Sequence, residues 1–207
     1  MNINRKIALK QLKKLDKLGS LKEMRLAAEK WNKPWKILIT TILSARTRDE
    51  TTIPIAEKLF ERYDSLERLA NAKIRDIEDI IKPINFYKNK SRNIISSAKI
   101  LVDKYRGNIP LSFEKLIGLP GVGRKTANVF LSEIGKDAIG IDTHASYISQ
   151  RLGWTKNKSP AKIENDLKKL FPKKMWKRIN PTLVRVGKSY TSKREKDKIL
   201  DEIKKIR

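Results

Sequence analysis

The residues with the clearest chemical meaning lie in Leu116-Ile117-Gly118-Leu119-Pro120-Gly121-Val122-Gly123-Arg124-Lys125-Thr126-Ala127. The pattern predicts a short helix over 112–117, a glycine-rich turn, and a second helix starting near Val122. Gly121 and Gly123 let the backbone bend tightly and approach another molecule with no Cβ in the way. The N–H groups that open the second helix have no partner within it and carry the positive end of its dipole. That is a seat for a phosphate. Such a seat holds a nucleic-acid backbone and reads no base, so it positions without specifying sequence. An ordinary helix–helix turn with glycines for close packing has the same Gly-x-Gly pattern, so these two residues alone do not decide.

The longer string is more specific. Leu119-Pro120-Gly121-Val122-Gly123-Arg124-Lys125-Thr126-Ala127 resembles the hairpin of the helix-hairpin-helix DNA glycosylases, in particular the endonuclease III-like branch. In that family an aspartate follows the hairpin, and Asp142 matches it in Ile139-Gly140-Ile141-Asp142-Thr143-His144. The resemblance runs upstream through Pro34-Trp35, Leu43-Ser44-Ala45-Arg46-Thr47-Arg48-Asp49 and Ile84-Asn85-Phe86-Tyr87, covering roughly residues 30–190.

The resemblance implies a chemistry that suits these residue types. Cleaving an N-glycosidic bond builds positive charge on the sugar as the base leaves, and a carboxylate beside C1′ stabilises it. Asp142 takes that role by resemblance. A lysine amine that attacks C1′ displaces the base and forms a Schiff base, from which the 3′-phosphate is eliminated. Lys125 matches the family's nucleophile. The amine attacks only when unprotonated, a state favoured by partial burial and by a neighbouring cation such as Arg124. Asp142 also stands where it can cap a helix starting at Thr143, a role compatible with catalysis. His144, the only histidine, is expected to be structural or to touch the DNA backbone.

A base inside a duplex must be extruded before it can react, which leaves a gap. By resemblance Arg46 stands at the gap-filling position, usually glutamine in endonuclease III. Phe86 stands at the wedge position, often leucine there. Arginine offers donors only, where glutamine offers donors and an acceptor, so the opposite-base preference stays open. A surface arginine and a core phenylalanine are the plain alternatives.

Helices must hold all of these residues. Ile94, Ile95, Ala98, Leu101, Val102 and Tyr105 form an apolar stripe at helical spacing. Ile55, Ala56, Leu59, Phe60 and Tyr63 repeat it after Thr-Thr-Ile-Pro, where a Thr cap and an early Pro suit a helix start. Ile163, Leu167, Leu170 and Phe171 make a third stripe, stopped by Pro172. Ile37–Leu43 is rich in β-branched residues, but no partner strand is evident, so a buried helix is expected. With short turns between these runs, the expected fold is all-α. The resemblance implies two lobes: residues 29–136 as a helical barrel ending in the hairpin, and residues 1–28 with 137–207 as a second lobe built from both termini. Lys125 then closes the first lobe and Asp142 opens the second.

Composition fits that division. The 207 residues carry 48 Lys+Arg against 23 Asp+Glu, a net +25. A folded chain this basic calls for a polyanionic partner, and nucleic acid is the obvious one. Residues 1–33 hold 10 basic and 3 acidic side chains, residues 155–207 hold 18 and 6, and the long middle holds 20 and 14. The two ends therefore supply most of the excess charge. No apolar run is long enough to span a membrane, and the N-terminus lacks the apolar stretch of a signal peptide, so an intracellular protein is expected.

There is no cysteine, which excludes disulfides and departs from the family. Endonuclease III chains typically end in four cysteines that hold a [4Fe–4S] cluster, so no such cofactor, and no metal, is expected here. At that place a basic amphipathic helix to Arg207 is expected. Ile199, Leu200, Ile203 and Ile206 would plug the core, and Lys193, Arg194, Lys196 and Lys198 would contact phosphates. The sequence thus leads to a monomeric, cofactor-free DNA glycosylase with AP-lyase activity on damaged pyrimidines in duplex DNA. A glycosylase for T or U mismatched with G and a non-catalytic helix-hairpin-helix binding module are the alternatives.

Overall fold

The computed structural model describes residues 3–207; residues 1 and 2, at the head of the segment 1–28, lie outside the described residues. The chain forms α1 (Arg5–Gly19), α2 (Pro34–Ser44), α3 (Asp49–Arg62), α4 (Leu66–Ala70), α5 (Ile74–Ile81), α6 (Tyr87–Asp103), α7 (Phe113–Ile117), α8 (Arg124–Glu133), α9 (Thr143–Arg151), α10 (Pro160–Leu170), α11 (Trp176–Ser189) and α12 (Lys193–Lys204). Among the described residues there is no strand. The all-α expectation holds. The helices gather into two compact units, Arg25–Ile134 and Met1–Met24 with Gly135–Arg207.

In the unit Arg25–Ile134, α2 is the central element. Every residue from Ile37 to Leu43 is buried, and α3, α6 and α8 pack around it. A helix enclosed in this way is apolar all round, which is why its sequence shows no amphipathic period and resembles a strand. Trp31 and Trp35 both meet the ring of Phe60 edge-on, at 5.0 and 5.1 Å between centroids. On α6 the stripe Ile94, Ile95, Ala98, Leu101 is buried, as the spacing predicts, and Lys90 is buried with it.

One boundary differs from expectation. The α3 helix starts at Asp49, before the Thr-Thr-Ile-Pro segment, and Pro54 lies inside it. Asp49 and Glu50 in the first turn suit the positive end of the helix dipole. Pro54 costs one backbone bond but has the φ a helix needs.

The other unit is built around Trp154, whose ring meets Phe171 edge-on at 4.8 Å. The third stripe behaves as read, with Ile163, Leu167 and Phe171 buried and the helix ended before Pro172. α12 ends at Lys204, short of Arg207. Its Leu200 is fully buried and Ile203 is 2% exposed, with Ile199 and Ile206 partly buried against the same core. Gln11, itself buried, joins the centre to this helix. It accepts from Trp154 Nε1 at 2.7 Å and donates to the Ile203 carbonyl at 3.3 Å. The last helix is therefore part of the core. Leu200→Ala is expected to lower the unfolding free energy by about 2–5 kcal/mol, read from denaturant melts.

Candidate active site

The hairpin is fixed from below. Ser112 caps α7, accepting from the Lys115 N–H. Leu116, Leu119 and Val122 are buried, and Ser97 of α6 donates to the Pro120 carbonyl at 2.7 Å. Gly121 has φ +79°, and a Cβ there would stand 3.0 Å from Asn93 Cβ and 3.2 Å from Ile42 Cγ2. Both conformation and packing demand glycine at 121.

Gly123 is different. Its φ of −90° suits any residue, and a Cβ there would meet nothing within 4 Å. The tight bend expected at both glycines therefore exists only at Gly121, while Gly123 leaves open space above a helix start. The α8 helix begins at Arg124 rather than Val122, because the Val122 N–H first closes a turn onto the Leu119 carbonyl. Gly123 is its N-cap, and no side chain caps the helix. The Arg124 guanidinium lies 4.7 Å from the Phe113 ring centroid, joining the two arms of the hairpin.

Lys125 is exposed. The partial burial expected of it is absent, because Thr126 and Ala127 take the inward phase of the first turn and leave Lys125 outside. The start of α8 and the amine both face solvent.

Arg46 and Phe86 are brought together. Both have left-handed backbone, φ +57° and +61°, which costs roughly 1–2 kcal/mol for a non-glycine residue. The Arg46 guanidinium lies 5.0 Å from the Phe86 ring centroid. Phe86 is 55% exposed, so it is not a core phenylalanine. The sequence missed what holds the pair. Asn85 donates through Nδ2 to the Arg46 carbonyl and through its backbone N–H to Thr47 Oγ1 at 3.2 Å. Lys90 donates to the Leu43 and Ala45 carbonyls at 2.7 and 2.6 Å and reaches Thr47 Oγ1 at 3.3 Å. Burial pushes the Lys90 amine down to about 8, so it remains mainly an ammonium at neutral pH. One signal was present: Lys90 lies four residues before Ile94, in phase with the buried stripe.

In the unit that contains it, Asp142 is the N-cap of α9, and its Oδ1 accepts from the Ala145 N–H at 2.7 Å. Oδ2 has no protein donor among the described residues. The approach to this cap is anchored by buried Ile139 and Ile141, and by Asn180 of α11, whose Nδ2 donates to the Gly140 carbonyl at 2.8 Å. His144, in the first turn of α9, rests against Gly187 of α11. A Cβ on Gly187 would lie 2.2 Å from the ring Nδ1. Gly187→Ala must therefore displace His144 and the start of α9. We expect it to cost about 1–3 kcal/mol of stability by overpacking, read by thermal denaturation, and to slow base excision measured under single turnover.

Lys193 and Arg194 open α12 and are exposed. The Lys193 amine pairs with Asp197 at 2.8 Å, and this ion pair holds it above its usual range. Tyr147 donates to the same carboxylate, and Arg151 pairs with Asp201 at 2.6 Å.

An uncapped helix start after the glycine turn is thus followed, at the start of the next helix, by an aspartate cap. Residues 39–173 match the model of the HhH-GPD superfamily base excision DNA repair proteins. The chain belongs to that superfamily. It is 47% identical to endonuclease III of Thermotoga maritima over 75% of this chain and 73% of that one. It is 35% identical to endonuclease III of Synechocystis sp. over 92% and 90%. A trapped endonuclease III–DNA covalent intermediate shares the fold with a TM-score of 0.83 and 31% identity, over 92% of this chain and 89% of that one. A thermostable thymine-DNA glycosylase, at TM-score 0.79 and 21% identity over 91% and 90%, shares the fold alone. This HhH-GPD protein is a DNA glycosylase and AP lyase of the endonuclease III type, and it binds DNA. The iron–sulfur cluster of typical endonuclease III chains does not fit it. There is no cysteine to ligate iron, and Leu200 and Ile203 of the last helix are buried in the core of their unit.

Proposed function

We propose that this enzyme acts as a monomer on damaged pyrimidines in duplex DNA, with Lys125 as nucleophile and Asp142 as the stabilising carboxylate. The observation that carries the reading is Lys125 itself, an exposed amine in the first turn of a helix whose uncapped N-terminus is a phosphate seat. Gly121, Gly123 and Arg124 hold the DNA backbone there, which brings a sugar to the amine. The bound DNA supplies the desolvation that the protein alone does not give Lys125. Lys125 Nζ attacks C1′, the bond from C1′ to the base breaks, and the base leaves with a proton. The sugar ring opens to a Schiff base, loses a proton from C2′, and releases the 3′-phosphate. The relative solved as a covalent endonuclease III–DNA intermediate supports this route.

Asp142 meets the charge that develops on the sugar with Oδ2 while Oδ1 holds the cap. Arg46 and Phe86 enter the duplex where the base has left, and the cation–ring contact between them makes a donor-bearing wedge. His144, Lys193 and Arg194 contact the DNA backbone. The experiment is incision and borohydride trapping on duplexes carrying thymine glycol, a G·T mismatch, a G·U mismatch or no lesion. The expected result is a trapped adduct and a nick on the thymine glycol duplex. Adducts confined to the mismatched duplexes, or base loss with no nick, would overturn the reading.

A further inference from the structure

The mechanism uses Lys125 and leaves another lysine unexplained. Lys90 is 6% exposed, and among the described residues its amine has no carboxylate partner. An ammonium is costly to bury, and packing alone would be served as well by a methionine. Its three donors instead find three acceptors, the Leu43 and Ala45 carbonyls and Thr47 Oγ1. The two carbonyls stand at the end of α2, where the helix leaves its last C=O groups without internal donors and where the dipole favours a cation. The third acceptor is shared. Thr47 Oγ1 also receives the Asn85 N–H, and Asn85 in turn holds the Arg46 carbonyl. A single buried amine therefore fastens the 45–47 loop at the point where the 84–86 loop is tied to it.

Those two loops carry Arg46 and Phe86, both in left-handed backbone and both with exposed side chains. Strained residues persist only where their surroundings over-determine them. Neither has a glycine's freedom, and neither side chain is anchored in a core. The hydrogen-bond lattice beneath them is what remains to fix their backbones.

We propose that Lys90 is a positioning residue that presets Arg46 and Phe86 as one rigid pair before DNA arrives, so that base extrusion meets a formed wedge rather than two mobile loops. This rests on the reading above that the pair enters the duplex. Lys90 touches neither DNA nor the reacting sugar. It acts through the 45–47 and 84–86 backbones, and its loss is felt in extrusion rather than in attachment to phosphates.

The test compares wild type with Lys90→Met, which keeps the stem and removes the donors, and with Asn85→Ala, an exposed change that keeps the protein folded if Lys90→Met does not. The probe is a duplex with 2-aminopurine beside thymine glycol, whose fluorescence rises on unstacking. Affinity for undamaged duplex is expected to stay within about twofold, since the phosphate contacts are untouched. The fluorescence rise and the single-turnover excision rate are expected to fall on the order of tenfold, as for a misplaced positioning group. In an Arg46→Ala/Phe86→Ala background, adding Lys90→Met should change little further, because the residues act as one unit.

Three results would overturn the proposal. Lys90→Met and Asn85→Ala keep the full fluorescence rise while Arg46→Ala/Phe86→Ala loses it, and Lys90 has no such role. Lys90→Met loses affinity and fluorescence together with a lowered Tm, or adds its full effect in the double-alanine background, and Lys90 is only structural. Arg46→Ala/Phe86→Ala itself keeps the rise, and the reading of the pair fails, taking this inference with it.

Discussion

The Lys125→Ala protein, mixed with a thymine glycol duplex and borohydride, is expected to give no covalent adduct and no nick. On the proposed mechanism the amine is the atom that bonds to C1′, and without it no Schiff base forms for borohydride to reduce. The loss of strand cleavage should be on the order of a thousandfold or more, equivalent to about 4 kcal/mol of barrier. Fold and affinity should survive. Lys125 is exposed in the first turn of α8, and surface substitutions away from special features cost about 0.5 kcal/mol or less. The phosphate seat proposed at Gly121, Gly123 and the α8 N–H groups does not depend on its side chain. A matching Tm and a retained gel shift of the duplex are therefore the controls that make lost trapping a statement about chemistry.

The second large effect is expected at Asp142, where two roles must be separated. Asp142→Asn keeps a good N-cap for α9, because an asparagine oxygen accepts the Ala145 N–H much as the carboxylate does. It removes the negative charge. Base excision under single turnover is expected to slow by about 10²–10³, the scale of losing one electrostatic contact to a developing charge. Stability and duplex affinity should change little. Asp142→Ala loses the cap as well, and should add about 1 kcal/mol of destabilisation to the same catalytic loss. If the asparagine variant excised at the wild-type rate while the alanine variant did not, Asp142 would be a cap and nothing more.

Much of the fold was legible because helices announce themselves by spacing. The stripes on α6 and α10 are amphipathic, so period and burial agree. The α2 helix was harder. Its burial on all sides erases the period, and only the lack of a partner strand identified it. The start of α3 was misplaced because Pro54 was read as a helix opener, whereas an interior proline near an acidic first turn is tolerated at the cost of one bond.

The site was legible to a different degree. Gly121, Lys125 and Asp142 were singled out by the resemblance of one ordered string to the helix-hairpin-helix glycosylases. The supports of the site are not local. Lys90 holds carbonyls more than forty residues away in sequence, and Gly187 makes room for a ring as distant again. Nothing in a lysine or a glycine reports such a partner until the chain is folded. The exposure of Lys125 was missed because partial burial was expected from the needs of an amine nucleophile rather than from its place on α8, where Thr126 and Ala127 turn inward.

In the proposed mechanism one amine, that of Lys125, forms the covalent bond to DNA. Peptide mapping by mass spectrometry of the borohydride-trapped complex tests it most directly. The reduced sugar adduct is expected on the Lys125 side chain. An adduct on any other lysine, or on the α-amino group, would contradict it.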